Sequence, residues 1–180
     1  MADYSGITYD RILRQDGVFW PCPSEDHPGT PRVLLDRFAT ADGRARFHPV
    51  EFRSPAEEPD REFPLYLTTG RILAQYQSGT QTRRIAALVA SSPRAFVQIH
   101  PSMARTYGIQ EGDEVRLTTR RGTAVVSAQL TQSIRMDTLF VPFHFEGSGR
   151  ANLLTNPALD PVSRMPEFKV CAARLERQTC

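Results

Sequence analysis

Thr69-Gly70-Arg71, followed a few residues later by Gln77-Ser78-Gly79-Thr80, places backbone N–H groups, hydroxyls and a guanidinium in one short stretch. A strand that ends in glycine lets backbone approach a ligand closely. A hydroxyl-rich turn at a helix start offers free N–H groups to an oxyanion. A phosphate suits that set, and Arg71 would add a charge-assisted hydrogen bond of about 1.5–3 kcal/mol when well formed. Standing alone, the same residues make an ordinary strand, turn and helix cap, and Thr-Gly-Arg is a weak signal.

A second set runs from Ala151-Asn152-Leu153-Leu154-Thr155-Asn156 through Asp160-Pro161-Val162-Ser163-Arg164 to Glu167-Phe168-Lys169. An asparagine amide both donates and accepts, as the edge of a heterocyclic ring requires, and Lys169 can meet a phosphate or a ring carbonyl. Taken singly, Asn152 and Asp160-Pro161 read first as turn residues. His144 sits in Pro142-Phe143-His144-Phe145 at a strand end, where a donor or general base is possible. A histidine among aromatics is more often a packed, hydrogen-bonded residue. His27, His48 and His100 have no metal-ligand spacing, and Cys22, Cys171 and Cys180 contain no CxxC pair. The hydrolase, Walker and Gly-x-Gly-x-x-Gly signatures are absent.

The charge pattern bears on the first set. Residues 1–62 hold twelve Asp and Glu against eight Arg. Residues 63–110 hold Arg71, Arg83, Arg84, Arg94 and Arg105 with no carboxylate and no lysine. Such a stretch attracts anions, unless carboxylates from elsewhere in the fold face it. Lys169 is the one lysine among 22 basic residues. No uncharged run has the length and apolarity of a membrane span, and no charged start leads into an apolar signal segment. A soluble protein in a reducing, cytoplasmic compartment is expected from this and from three widely spaced cysteines.

These residues need elements to hold them. Residues 1–62 carry seven prolines between Pro21 and Pro59 and read as an irregular arm, with Trp20, Leu35, Phe47, Val50 and Phe52 seeking a surface. Beyond it, residues 64–69 read as a strand and 79–89 as a short helix capped by Ser78 or Thr80. Residues 95–99 read as a second strand. Pro101 opens a helix that ends at Gly108. Residues 115–119 and 124–130 form a hairpin about Arg121-Gly122, and 138–143 and 168–175 add two strands. Short strands at close spacing with small helices between them argue for a compact β-barrel over residues 63–180.

Taken in order, Thr69-Gly70-Arg71, Gln77-Ser78-Gly79-Thr80, Val97-Gln98-Ile99-His100-Pro101, Gly112-Asp113-Glu114-Val115, Ala151-Asn152-Leu153-Leu154-Thr155 and Phe168-Lys169 resemble the carboxy-terminal domain of the dimethyl-sulfoxide-reductase family of molybdopterin oxidoreductases. The resemblance implies a mainly β fold, a double-psi β-barrel with short helices. It implies contacts to a molybdopterin guanine dinucleotide at Thr69, Gly70, Arg71, Gln77, Ser78, Thr80, His144, Asn152, Phe168 and Lys169. It assigns no catalytic residue and no metal ligand to this chain. Phe168 stands where the family commonly has tyrosine, and Gln75-Tyr76-Gln77 where it often has histidine and tryptophan.

Trp20-Pro21-Cys22-Pro23, His27-Pro28-Gly29-Thr30-Pro31-Arg32 and residues 37–47 resemble the assimilatory nitrate reductases within that family more than the formate dehydrogenases. The implied holoenzyme carries molybdenum-bis(molybdopterin guanine dinucleotide), has a 4Fe–4S cluster in an amino-terminal part outside these residues, and reduces nitrate to nitrite. The implied partners are the remaining domains of the same catalytic subunit and an electron-donor protein or subunit. The isolated chain is expected to be apo and catalytically incomplete. Formate dehydrogenase is the alternative within the family. A stand-alone barrel binding an acidic partner or nucleic acid ranks last, because aromatics are not interleaved with the arginines.

Overall fold

The computed structural model describes residues 2–178, so Cys180 lies outside the described residues. The chain divides into two compact units, residues 1–51 and 52–180.

The first unit is less irregular than its prolines suggest. Residues 1–20 contain none, and α1 (Tyr9–Gln15) forms there. Thr8 caps it by accepting the Arg11 N–H at 3.3 Å, and Asp16 ends it in the left-handed region at φ 53°. Arg11 is buried. Its guanidinium donates to the carbonyls of Gly6 at 3.1 Å, Glu25 at 2.9 Å and His27 at 2.6 Å, and to Cys22 Sγ at 3.3 Å. One side chain thereby satisfies the backbone of a loop with no ladder of its own. Phe47 and Val50, by contrast, are 96% and 88% exposed.

The second unit is a closed six-strand barrel with few short helices. Its elements are β1 (Leu65–Gly70), α2 (Ala86–Ser91), β2 (Phe96–Ile99), α3 (Pro101–Thr106), β3 (Glu114–Thr118), β4 (Thr123–Leu130), β5 (Thr138–Pro142) and β6 (Cys171–Arg177). Around the barrel the order is β1-β5-β2-β4-β3-β6. β1 runs parallel to β5 and β2 parallel to β4, and the other neighbours are antiparallel. This is the double-psi barrel expected from the sequence. The period of two sends Leu65, Leu67, Val97, Ile99, Val115, Leu117, Leu139, Val141, Ala173 and Leu175 into one core.

Two elements depart from the sequence reading. The helix expected over 79–89 is split into a 3-10 turn at Thr82–Arg84 and α2, with Ile85 between them in an extended conformation. Ser78 and Thr80 cap nothing and bond to each other through their hydroxyls at 2.9 Å. The strand expected from 168 begins at Cys171. Phe168 and Lys169 are drawn out of the ladder by bonds to Thr69, described below.

Gly149 is buried where a Cβ would lie 2.4 Å from Ala95 Cβ and 3.7 Å from Val126 Cγ1. Gly149→Ala should therefore lower stability by about 1–3 kcal/mol. Urea unfolding of the two proteins measures this, and equal midpoints would refute the close approach.

Candidate functional site

The register of three strands decides where the chemistry-bearing residues go. Gly70 pairs with Pro142 across the parallel β1/β5 ladder, and Leu67 with Cys171 across the antiparallel β1/β6 ladder. The exits of β1 and β5 and the entrance to β6 therefore share one rim. Arg71 leaves β1 there, Phe143 leaves β5, and Phe168-Lys169 arrive to start β6.

Around this rim lies a cleft of about 680 Å³ lined by Thr69, Arg71, Gln77, Ser78, Phe143, Asn152, Thr155, Phe168 and Lys169. The buried Thr69 stitches it together. Its hydroxyl donates to the Phe168 carbonyl at 3.2 Å, and its own carbonyl accepts from Lys169 Nζ at 2.6 Å. Lys169 Nζ also stands 5.0 Å from the centre of the Phe168 ring and 5.7 Å from that of Phe143. The ammonium has three donors, so one bond to Thr69 leaves it able to donate into the cleft. Arg71 donates to Gln77 Oε1 at 3.0 Å, and Gln77 takes a left-handed φ of 51°. Asn152 is exposed on a 3-10 turn, Ala151–Leu153.

Of the residues singled out from the sequence, Thr69, Arg71, Gln77, Ser78, Asn152, Phe168 and Lys169 line this cleft. Three do not. Gly70 closes β1 behind it, where a Cβ would come 2.5 Å from the Phe140 ring, so any larger residue there would have to displace that ring. Thr80 reaches the cleft only through its bond to Ser78. His144 faces a neighbouring cleft of about 560 Å³ whose wall also includes Gln75, Arg83, Arg94 and Glu146. Phe143 and Thr155 were missed. Both stand beside more conspicuous polar residues, Phe143 before His144 and Thr155 before Asn156, and neither type carries a binding signal by itself.

Electrostatically the cleft is cationic. Of the five arginines between 63 and 110, Arg83 gains a carboxylate, Glu146 at 3.6 Å, and donates to the His144 carbonyl at 2.9 Å. Arg71 forms no ion pair with a described residue. Its partner is the neutral Gln77, which leaves its positive charge uncompensated. Two fixed positive charges, hydroxyls and an amide around an open cleft can hold an anionic, ring-bearing ligand.

His144 is packed, as histidines among aromatics usually are, with its ring centre 4.0 Å from that of Phe145. It is not hydrogen-bonded as that expectation held, because the buried Nε2 has no partner. Among the described residues, no cluster of three or more His, Cys, Asp or Glu could hold a metal ion. No helix there is long and apolar enough to cross a membrane.

The fold and the cleft together define a class: a closed six-strand barrel with a cationic cleft at one rim. Residues 65–172 match the Molydopterin dinucleotide binding domain, and the chain belongs to that family. It is 46% identical over 177 residues to the assimilatory nitrate reductase catalytic subunit of Bacillus subtilis, covering 97% of this chain and 25% of that one. It is 45% identical over 174 residues to the F420-dependent formate dehydrogenase subunit alpha of Methanocaldococcus jannaschii, covering 97% and 26%. Identity is 39% to the periplasmic nitrate reductase of Desulfovibrio desulfuricans, again over 97% and 25%. The chain thus spans about a quarter of the length of these curated relatives. The fold is also that of acetylene hydratase from Pelobacter acetylenicus, with TM-score 0.58 and 20% identity, covering 66% of this chain and 19% of that one.

Burial, and then the nearby Arg83 charge, push the His144 imidazole below its ordinary value. The folded state holds it neutral while the unfolded chain takes up a proton near pH ~6.5, so stability falls as pH drops below that point towards the folded-state value. A His144→Phe variant should lose less stability than the parent between about pH 7.5 and 5.5 in urea titrations. Equal losses would show that His144 does not contribute.

Proposed function

We propose that the cleft bounded by Arg71 and Lys169 receives the anionic dinucleotide of a molybdenum–pterin cofactor, as part of a longer oxidoreductase of the nitrate reductase type. The observation that carries this is Lys169. The chain's one lysine is bonded to Thr69, framed by Phe143 and Phe168, and directed at the same cleft as Arg71 and Asn152. The residues suit such a ligand. Arg71 and Lys169 answer its phosphates, Asn152 a ring edge with both donor and acceptor, and Phe143 and Phe168 offer flat apolar faces. Thr69, Gly70, Gln77, Ser78 and Thr80 shape the rim, and His144 with its unpartnered Nε2 serves from the adjoining cleft. The molybdenum, when bound, supplies two-electron redox chemistry, and this chain's share is to bind and orient the cofactor that carries it.

In this reading residues 1–62 are the arm of the parent enzyme and 63–180 its cofactor barrel. The parent reduces nitrate to nitrite, carries a 4Fe–4S cluster outside these residues, and draws electrons from a separate donor protein or subunit. The isolated chain is apo. The free, buried Cys22 and Cys171 favour a cytoplasmic setting. Formate oxidation is the second reading, favoured by the 45% identity to a formate dehydrogenase subunit. Dye-linked assays of the parent enzyme with nitrate and with formate separate the two.

Arg71→Ala and Lys169→Ala in the parent enzyme should each weaken cofactor retention roughly 10- to 150-fold, the equivalent of one charge-assisted bond of about 1.5–3 kcal/mol. Molybdenum per protein after gel filtration reports it. Unchanged content in both variants would remove the cleft from cofactor binding.

A further inference from the structure

Glu57 lies in the strap that precedes β1, and its side chain is only 10% exposed. Its Oε1 accepts from Arg121 Nη1 at 2.6 Å and from Arg120 Nη1, and its Oε2 accepts from the Ala172 N–H at 3.0 Å. Arg121 passes the connection on, because its Nη2 donates to the Leu154 carbonyl at 2.9 Å. Beside it, the Ala56 N–H donates to Glu167 Oε1 at 2.8 Å. The Asn156 N–H donates to Cys171 Sγ at 3.1 Å, next to the residue that Glu57 binds. Leu154 follows Asn152 by two residues and Glu167 precedes Phe168-Lys169. The loop of Asn152 is thus fastened to the strap through Glu57 and Arg121, the start of β6 through Glu57 and the Ala172 N–H, and the loop of Lys169 through the Ala56 N–H and the Glu167 carboxylate.

We propose that Glu57 is a positioning residue for the cleft, a clasp pinning the strap to the loop of Asn152 through Arg121 and to the start of β6 through Ala172, so that the neighbouring Ala56 N–H can hold Glu167 ahead of Lys169 and both loops reach the rim together. What the loops are positioned for rests on the dinucleotide reading. That the clasp holds them does not. Neither loop belongs to the barrel ladder, so ladder bonds do not fix them. Burial disfavours the Glu57 carboxylate, but hydrogen bonds from Arg121, Ala172 and Arg120 outweigh this and keep its carboxyl below the usual range. The clasp is therefore charged at neutral pH. The adjacent Glu58 takes no part in it and bonds to the Tyr66 hydroxyl at 2.5 Å.

Amide hydrogen exchange in the 180-residue chain, without cofactor, tests this. Glu57→Ala should speed exchange at Leu154, Asn156 and Glu167 by at least about tenfold, while Val97 and Leu117 in the barrel stay within about twofold of the parent. Glu57→Gln keeps an acceptor oxygen and should give a smaller rise at the same three amides, and it remains measurable if the alanine variant does not fold. Glu58→Ala should leave all three unchanged. Equal acceleration at barrel and loop amides, or none at the loops, would overturn the proposal. Because no cofactor is present, a failure here bears on the clasp alone, whereas molybdenum retention in the Arg71 and Lys169 variants bears on the ligand.

Discussion

A barrel closed from six short strands has no edge, so any chain not in the ladder must leave at a rim. Parallel pairing of β1 with β5 then forces both strands to leave at the same rim, and antiparallel β6 must enter there. That single constraint gathers Arg71, Phe143 and Lys169, which are far apart in sequence. It does so with backbone hydrogen bonds and an apolar core, so the ends of the strands at the rim are fixed by the barrel before the site residues make contacts of their own.

On that rim, Thr69 is the residue at which scaffold and site meet. Its position at the end of β1 is fixed by the ladder, and its hydroxyl and carbonyl tie down Phe168 and Lys169. The geometry also explains why β6 starts late. Residues 168 and 169 form a turn, and Lys169, bonded to Thr69 O, lies outside the ladder that begins at Cys171. A cation–π contact of an exposed lysine is worth about 0.5–1 kcal/mol, too little to place the side chain without the hydrogen bond. An arginine at 169 would carry the same charge in a planar fork that does not fit one carbonyl and two rings.

The strands were legible because their signals are local: residues 115–119 and 124–130 alternate at period two, and residues 64–69 form a short apolar run ended by Gly70. Motif order brought out seven of the cleft residues. What stayed hidden is what depends on distant pairing. Nothing near Glu57 in sequence announces Arg120 and Arg121, more than sixty residues away, and the strap itself read as a charged boundary. His144 was legible as a packed ring but its missing partner was not, because satisfaction of a buried nitrogen is a property of its neighbours. The helix over 79–89 failed because its hydroxyl residues are occupied inside the loop, with Thr82 Oγ1 donating to Gln75 Oε1 at 2.6 Å and accepting from the Tyr76 N–H at 3.1 Å. α1 is only seven residues long, too short for a clear apolar period, and lies in a proline-free stretch just before the proline-rich segment.

The account stands on the claim that the rim cleft holds the dinucleotide. The most direct measurement is an experimental structure of the parent catalytic subunit purified with its molybdenum cofactor. The account predicts dinucleotide density in the cleft, within hydrogen-bonding distance of both Arg71 and Lys169. A cofactor ordered elsewhere, with the Arg71–Lys169 cleft empty or filled by another domain, would contradict it.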